Sequence, residues 1–487
     1  MKCFLILLLT IVIKEIHSET AYQGVIIHGP GLRPDNIIMP ARYVFLNFSG
    51  VKEIIYINNL QLEISGIGKE HSKCRIWTNK LDRKDGTVII RYKVYDTCER
   101  SNINIFYREK HIGKSPYYVP GPIIPDQCNC PINLDTWLQY GCNGNYSKIH
   151  SDLNTFSELN MELMMPKIIS RLHIPEANSF CHYVVKNNKI HRNCYGKHIG
   201  FNMFSDSILL SLTRKVLLPD MEFVVNLGDW PLSRKHLEPL PIFSWCGNDE
   251  NYDIVMPTYD ITESSLENMG RVTLDMLSVQ GNVGLPWSER QPKAFWRGRD
   301  SNTHRLDLID IAREHPDLIN ASMTNFFFFT DKKEKYGPKQ PQISFFKFFD
   351  YKYQINIDGT VAAYRLPYLL AGGGLVFKQH SLYKEHFYEN IKEWQHYVPI
   401  KRDLSDLVEK IQWAIKNEER AKEIAENGQK FANENLLPQH IFCYHVVLFS
   451  EWSKRLTGEV TVQNDMTPVN QEESDCFCPQ INTKDEL

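Results

Sequence analysis

The aspartate at position 229 is placed by its neighbours where a catalytic base would stand. It follows the apolar run Glu222–Leu227 and Gly228, and the rigid pair Trp230-Pro231 comes directly after it. In open α/β sheets ligands bind at the carboxyl ends of strands, where a carboxylate can accept a proton. A turn aspartate can equally well cap local backbone N–H groups. The local pattern by itself leaves both roles open.

A cluster of arginines lies in the segment Phe-Trp-Arg-Gly-Arg-Asp-Ser-Asn-Thr-His-Arg, residues 295–305. Guanidinium groups match the geometry of phosphate oxygens, and a helix that starts after this glycine-containing loop adds backbone N–H donors. A solvated charged surface is the alternative, but the apolar pair Phe295-Trp296 favours a buried approach to the loop. The predicted ligand contacts are Arg297, Gly298, Arg299 and Arg305.

The segment Tyr353–Arg365 combines a strand, a glycine turn and a predicted helix start. Thr360 is a suitable N-cap, and the helix is expected to begin near Val361. Gly359 has no Cβ, so a ligand can approach its backbone closely. A diphosphate could then bind at the helix start with Arg365 as its counter-charge. The predicted contacts are Gly359, Thr360, Val361, Ala362, Ala363, Tyr364 and Arg365.

No Asp-x-Asp pair occurs in the chain. Enzymes that hold a nucleotide sugar through Mn²⁺ or Mg²⁺ commonly use such a pair, because hard cations need oxygen ligands. Its absence favours stabilisation of a leaving diphosphate by arginines and a helix dipole. We therefore predict that no metal and no other cofactor takes part.

The elements that must position these residues fall into two regions. Residues 20–122 contain short alternating strands, such as Thr87–Tyr95, with turns between them, which is typical of a β-sandwich. Beyond a linker rich in Pro and Cys, strands alternate with helices, which predicts parallel sheets with helices on both faces. Residues 123–457 are long for one sheet, so two Rossmann-like lobes are expected, about 123–285 and 286–457. The aromatic run Phe326–Phe329 is predicted to be a buried strand.

Both ends of the chain carry targeting signals. Residues 1–18 have Lys2, an apolar run and a small residue at Ser18, which is typical of a signal peptide. The last four residues, Lys-Asp-Glu-Leu, form the retrieval address of the endoplasmic reticulum, read by the KDEL receptor. Residues 458–487 are polar and are predicted to be a flexible tail that presents this address. We therefore expect a protein of the endoplasmic reticulum lumen.

Composition narrows the possible partners. The net charge of -3 over 487 residues gives no basic field for nucleic acid, and no apolar run after Ser18 reaches the ~20 residues of a membrane span.

Eleven of the 12 cysteines remain after residue 18, and an oxidising lumen predicts that most are paired. Cys74 and Cys98 are expected partners, and one of three cysteines at 128, 130 and 142 could reach Cys443. Possible N-glycosylation sites are Asn47, Asn145 and Asn320.

Several motifs together resemble a known family. They are Val-Asn-Leu-Gly-Asp-Trp-Pro from residue 225, Ile-Phe-Ser-Trp-Cys-Gly from 242, Trp-Arg-Gly-Arg-Asp-Ser from 296, and Lys-Tyr-Gln-Ile-Asn-Ile-Asp-Gly-Thr-Val-Ala-Ala-Tyr-Arg from 352, with the final Lys-Asp-Glu-Leu. They resemble the KDEL-motif-containing protein O-glucosyltransferases, relatives of Rumi-type enzymes. Residues 29–32, 81–95 and 112–119 resemble a filamin-type immunoglobulin repeat, which would act as a spacer or a docking module.

The resemblance implies a GT-B-like catalytic region that transfers glucose from UDP-glucose to serine in epidermal-growth-factor-like (EGF-like) repeats of the Notch and fibrillin type, with inversion and without metal. It implies that Asp229 is the catalytic base and that Arg299, Arg305 and Thr360–Arg365 contact the donor. Single-domain Rumi-type members have a serine where Arg299 lies. The acceptor-side segment falls on Tyr195, Gly196, Lys197, His198 and Ile199, where the sequence differs from those members.

Two alternatives stay open at this point. The donor could be UDP-xylose or UDP-galactose, or the acceptor a glycan, because one hydroxymethyl group separates glucose from xylose and no side chain in the sequence identifies the sensor. The chain could also be a non-catalytic client-binding protein of the endoplasmic reticulum, in which the α/β region is a degenerate lectin.

Overall fold

The computed structural model describes residues 24–33, 40–51, 55–68, 71–139, 141–174, 176–266, 275–474, 476 and 478. The predicted signal peptide and the C-terminal Lys-Asp-Glu-Leu lie outside these residues. The chain divides into two compact units. The first comprises Met1–Cys128, Gln280–Asn282 and Ser474–Leu487, and the second comprises Asn129–Val279 and Val283–Glu473.

The first unit contains two antiparallel sheets. Its strands are β1 (Ile26–His28), β2 (Arg42–Asn47), β3 (Leu60–Ile67), β4 (Ile76–Asp82), β5 (Thr87–Val94), β6 (Arg100–Tyr107), β7 (Lys110–His111) and β8 (Tyr117–Val119). One sheet has the order β1-β2-β5-β4, and in the other β3, β7 and β8 pair with β6. Val44 and Ile90 of one sheet and Ile103 and Ile105 of the other belong to the same core. Alternating apolar residues on both sheets therefore bury one shared layer.

The second unit is mixed α/β. Its helices are α1 (Leu134–Gln139), α2 (Ser147–Leu153), α3 (Met161–Leu172), α4 (Asn202–Thr213), α5 (Tyr259–Leu266), α6 (Met276–Gly281, which runs to the unit boundary), α7 (Thr303–Glu314), α8 (Lys333–Tyr336), α9 (Leu366–Ala371), α10 (Leu407–Lys416), α11 (Glu418–Asn435) and α12 (Pro438–Ser453). Its strands are β9 (Phe180–Lys186), β10 (Lys189–Tyr195), β11 (Met221–Asn226), β12 (Ile242–Ser244), β13 (Gly247–Asn248), β14 (Ile254–Val255), β15 (Gln291–Arg299), β16 (Ile319–Asn325), β17 (Tyr351–Asn356), β18 (Leu375–Gln379), β19 (Tyr383–Lys384), β20 (Val398–Ile400) and β21 (Thr467–Val469).

Two main sheets organise this unit. The first has the order β14-β12-β11-β9-β10-β21 and the second β16-β15-β17-β18-β20. The second sheet is parallel throughout, as the alternation of strands and helices predicts. Its strands carry the apolar core with Tyr353, Ile355 and Phe377, all less than 3% exposed.

The first sheet is only half parallel, so the prediction of a parallel sheet is wrong for this lobe. Strands β14, β12 and β11 are parallel, but β9 pairs antiparallel with both β10 and β11. The reason is the two-residue connection Asn187-Asn188, whose φ values are 50° and 60°. Asparagine tolerates this left-handed region, and two such residues make the tight turn that joins antiparallel strands.

The predicted flexible tail from residue 458 is wrong for the part that the structure describes. Thr467–Val469 form strand β21, which pairs with Arg192–Ile190 at the edge of the first sheet. Gln471 donates hydrogen bonds of 2.7 and 2.8 Å to the Leu210 carbonyl and the Thr213 hydroxyl. Pairing with an open sheet edge satisfies backbone groups that a free tail would leave to water.

The aromatic run Phe326–Phe329 is not a buried strand. Strand β16 ends at Asn325, Phe326 is buried, and Phe327 and Phe328 are 67% and 45% exposed. The main-chain N–H groups of Phe327 and its two successors bind the Asp300 carboxylate instead of a neighbouring strand. A buried acceptor from a distant loop therefore overrides the strand preference of four consecutive aromatics.

Disulfides link distant parts of each unit. Cys74–Cys98 is present as expected, and Cys142 is the cysteine that reaches Cys443. Within the described residues Cys128 also pairs with Cys476, and Cys181 pairs with Cys194. Among the described residues no helix is long and apolar enough to cross a bilayer.

Candidate active site

A cavity of about 600 Å³ in the second unit collects the donor-side residues that the sequence predicts. Its lining includes Asp229, Arg297, Gly298, Arg299, Arg305, Gly359, Thr360, Val361, Ala362, Ala363, Tyr364 and Arg365. The three segments follow or include the carboxyl ends of β11, β15 and β17. Ligand sites form at these ends because the chain leaves the sheet there and exposes backbone and side-chain polar groups. The predicted base and the predicted donor contacts therefore line one cavity, and their roles stay predictions.

One hydrogen bond joins the segment after β11 to the segment after β17. The Thr360 hydroxyl donates to Oδ2 of Asp229 over 2.9 Å. Asp229 is half-buried and belongs to the lining of the cavity. The threonine therefore fixes the carboxylate orientation while one oxygen stays available to accept a proton.

The predicted helix start at Val361 is wrong. Residues 360–365 are irregular, and helix α9 begins at Leu366 with Arg365 as its N-cap residue. Thr360 caps no helix, because its hydroxyl binds Asp229 instead. With six residues and a proline at its start, α9 offers few free N–H groups to an anion. Positive charge at this end of the cavity therefore comes from side chains.

The turn that carries Asp229 rests on a buried polar network that sequence reasoning missed. The Asn226 amide donates to the Trp230 carbonyl at 2.7 Å and to the Ser244 hydroxyl at 3.1 Å. Asp253 accepts from the Ser244 hydroxyl at 2.6 Å and from the Leu232 amide at 2.8 Å. Burial raises the pKa of Asp253 to about 6. The one signal in the sequence is that Asn226 stands two residues before a glycine, where it can bind the turn.

Arg305 is largely a structural cation. It is 5% exposed, and its guanidinium donates to three carbonyls, those of Arg299, Ile357 and Asp358, and to the Ser301 hydroxyl. Burial, together with the neighbouring Arg365, lowers its pKa to about 9, which keeps it charged at neutral pH. Four of its five N–H donors are used in this way, so few remain for a ligand. Arg305 therefore contributes mainly its positive charge to the cavity, and its hydrogen bonds hold the turn at Gly359 in position.

The other three arginines differ in how they are held. Arg365 donates to the Arg297 carbonyl over 2.7 Å, and burial lowers its pKa. Arg297 is half-buried and bound by Asn320, so its charge is directed toward β16. Arg299 is exposed, and its Nε donates to the Ser301 hydroxyl over 3.3 Å. Arg299 therefore has the guanidinium best able to reorient toward a bound anion.

A second carboxylate lines the same cavity. Burial, with the like charge of Glu263, raises the pKa of Asp260 to about 6, and Arg365 opposes the shift. The carbonyl of Asp260 accepts a hydrogen bond of 2.9 Å from the Tyr368 hydroxyl. Asp260 is thus a competitor for the role of base that the sequence did not single out.

The predicted acceptor-side residues lie apart from this lining. Tyr195, at the end of β10, lines a different cavity of about 590 Å³ with His182 and Glu222. His198 and Ile199 are exposed, and the turn continues to Phe201, whose ring meets Tyr259 at 5.1 Å. Tyr259 does line the active-site cavity. The five predicted residues are not in the lining of the active-site cavity, and their role in acceptor binding stays a prediction.

The three sequons differ in setting. Asn145 is exposed, and Asn47 is half-buried with its Oδ1 accepting from the Ser49 amide. Asn320 lies in β16, where its amide donates to the Tyr351 hydroxyl at 2.8 Å and its carbonyl accepts from Arg297. This geometry makes Asn320 a structural residue rather than an accessible glycan acceptor.

Comparison with known proteins identifies the family. The model of "Glycosyl transferase family 90" matches residues 138–485. The chain belongs to glycosyl transferase family 90. It is 44% identical over 472 residues to protein O-glucosyltransferase 2 of Danio rerio. The alignment covers 95% of this chain and 94% of the relative. It is 42% identical to protein O-glucosyltransferase 3 of Homo sapiens, over 93% of this chain and 91% of the relative.

A further relative matches a smaller share of the chain. Protein O-glucosyltransferase 1 of Homo sapiens is 31% identical over 353 residues, 69% of this chain and 86% of that protein. The prediction that this chain is a glycosyltransferase of the Rumi-type family is confirmed by these matches.

Proposed function

We propose that this family 90 enzyme transfers glucose from UDP-glucose to a serine hydroxyl in EGF-like repeats of secretory proteins. The observation that carries the proposal is the single cavity in which Asp229 meets four arginines. A carboxylate beside a cluster of cations suits a reaction that removes a proton at one end of the site and releases a diphosphate at the other.

In the proposed step the serine Oγ attacks the anomeric carbon of glucose. The new C–O bond forms as the bond between that carbon and the β-phosphate oxygen breaks, and the electron pair leaves with UDP. The serine proton passes to Asp229, whose orientation is held by Thr360. Attack from the side opposite the leaving group inverts the configuration at carbon and gives a β-linked product.

Arginine charge replaces a metal in this proposal. In this proposal Arg299 and Arg365, which line the cavity, neutralise the departing diphosphate, and buried Arg305 adds a fixed positive charge near the Gly359 turn. Such preorganised charge is worth several kcal/mol in a site that excludes water. We expect EDTA to leave turnover unchanged. Loss of activity with EDTA and its recovery with Mn²⁺ would contradict this part of the proposal.

The proposed compartment is supported by the targeting motifs of the chain and by its cysteines. Disulfides such as Cys142–Cys443 persist in oxidising compartments. With the leader-like first 18 residues and the terminal Lys-Asp-Glu-Leu, they support residence in the endoplasmic reticulum lumen and retrieval by the KDEL receptor. EGF-like repeats fold in the same compartment. We further propose that the second unit is GT-B-like and that the antiparallel sheets of the first unit form a filamin-type module.

A defined experiment tests the whole reaction. A folded EGF-like repeat is incubated with the protein and separately with UDP-glucose, UDP-xylose and UDP-galactose, and the product is weighed by mass spectrometry. A gain of one hexose with UDP-glucose supports the proposal, and a gain of one pentose with UDP-xylose alone favours the xylosyltransferase alternative. No gain with any donor, together with no UDP binding by calorimetry, would leave the non-catalytic alternative.

A further inference from the structure

Two adjacent aromatic side chains form an exposed surface, the aromatic platform Phe327–Phe328. They are 67% and 45% exposed, and their ring centroids lie 5.1 Å apart in an edge-to-face arrangement. Singly exposed apolar residues are ordinary on protein surfaces. A contiguous pair of large exposed rings is less so, because such apolar patches mark interaction sites.

The platform is held in place from below. The Asp300 carboxylate is fully buried and accepts hydrogen bonds from three successive backbone N–H groups, those of Phe327 (2.7 Å), Phe328 (3.0 Å) and Phe329 (2.6 Å). Phe326 is part of the core of the second sheet, and Phe329 packs against that core. Phe326, Phe329 and the Asp300 carboxylate therefore fix the backbone of this segment, and the rings of Phe327 and Phe328 remain exposed to solvent.

The platform stands beside the active-site cavity. Asp300 directly follows Arg299, which lines the cavity, and Thr324 and Asn325 at the end of β16 line it as well. Ile343, which is 40% exposed, also belongs to the cavity lining. Phe327 therefore stands two residues beyond a strand end that lines the cavity.

We propose that the aromatic platform docks a folded, disulfide-bonded acceptor domain through an apolar side chain displayed beside the acceptor serine. The inference rests on the proposed function and specifies which surface selects the acceptor. Rigid aromatic rings are suited to this task because they lose little conformational freedom when they are covered. The donor diphosphate does not call for such a surface, since its charge is matched by the arginines. Asp300 is accordingly a positioning residue, which acts through the platform.

The test is the double variant Phe327→Ala/Phe328→Ala, assayed with UDP-glucose and a folded EGF-like repeat. We expect KM for the repeat to rise at least about tenfold, a typical cost of removing buried interface aromatics, while kcat changes less than about threefold. The calorimetric affinity for UDP should match the wild type. The conservative pair Phe327→Tyr/Phe328→Tyr should recover most of the acceptor affinity. Leu163→Ala, which removes an equally exposed side chain outside the cavity lining, is the matched control and should leave all constants unchanged.

The outcomes separate the two proposals. An unchanged KM for the repeat in a double variant that binds UDP normally would overturn the docking inference and leave the proposed function standing. A wild-type protein that glucosylates no EGF-like repeat would overturn both. If the same repeat after reduction and alkylation were modified with an equal KM, the requirement for a folded acceptor would be refuted.

Discussion

Replacement of Asp229 by asparagine isolates proton acceptance from binding. The amide has almost the same shape as the carboxylate, and its oxygen can still accept the 2.9 Å hydrogen bond from Thr360. The fold and the UDP site should therefore persist. An amide cannot take the serine proton, so we expect kcat to fall by at least ~100-fold, the lower limit for loss of a general base.

The size of this loss decides between two explanations. Weakening the hydrogen bond between Thr360 and residue 229 would cost about 1 kcal/mol, or roughly fivefold in rate. Loss of the base corresponds to about 3–5 kcal/mol. Thr360→Val supplies the control, because it removes the hydrogen bond and keeps the carboxylate, and we expect less than a tenfold decrease.

The assay is release of UDP in the presence of a folded acceptor, with mass spectrometry of the product and calorimetry with UDP. Asp260→Asn tests the other carboxylate of the cavity. Turnover of Asp229→Asn within about threefold of wild type would refute the reasoning. If Asp260→Asn instead caused the hundredfold loss, Asp260 would be the base.

Three further outcomes are expected from the structure. Burial raises the pKa of Glu385 to about 8, above its usual value of about 4.3, so the native state holds one more proton than the unfolded chain between these pH values and its stability falls as pH rises, by at most about 1.4 kcal/mol per unit. Glu385→Gln should flatten this slope in thermal unfolding from pH 5 to 8.5, and parallel curves for the two proteins would argue against it. The Cys142–Cys443 bond spans 301 residues of sequence, so Cys142→Ser/Cys443→Ser should lower the free energy of unfolding by about 3–5 kcal/mol; an unchanged urea midpoint would contradict this. Asp300→Ala leaves three backbone N–H groups without their acceptor and should cost at least about 2 kcal/mol in urea unfolding, with a larger KM for the folded acceptor; a variant that loses neither stability nor acceptor affinity would show that Asp300 does not hold the platform.

Local patterns predicted the elements that carry the site. The helix expected after the arginine-containing loop is α7, Thr303–Glu314, because Asn302 caps it and its apolar residues recur at helical spacing. The apolar run Glu222–Leu227 before Asp229 corresponds to strand β11, and the strand expected before Gly359 is β17. In each case the pattern that predicts the element lies within one turn or one strand, so it can be recognised from residues that are neighbours in the sequence.

Predictions failed where a distant partner took over a backbone or a side chain. Thr360 was expected to cap a helix, but Asp229, 131 residues away in sequence, accepts its hydroxyl. The run Phe326–Phe329 was expected to pair as a strand, but Asp300 accepts its N–H groups. The tail was expected to be free, and β21 pairs with β10 across more than 270 residues. None of these partners leaves a periodic signal in the segment that it captures.

The sequence by itself determined which chemical groups this protein contains: a carboxylate after a strand, arginines on a glycine loop, a small-residue turn and cysteines that can pair. The tertiary structure decided which of them cooperate. It turned Arg305 into a buried structural cation, left Arg299 able to reorient, bound Thr360 to Asp229 and pointed two phenylalanines outward. These outcomes depend on which carbonyls, carboxylates and sheet edges arrive next to each group, and that is fixed only when strands far apart in the chain pack into one unit.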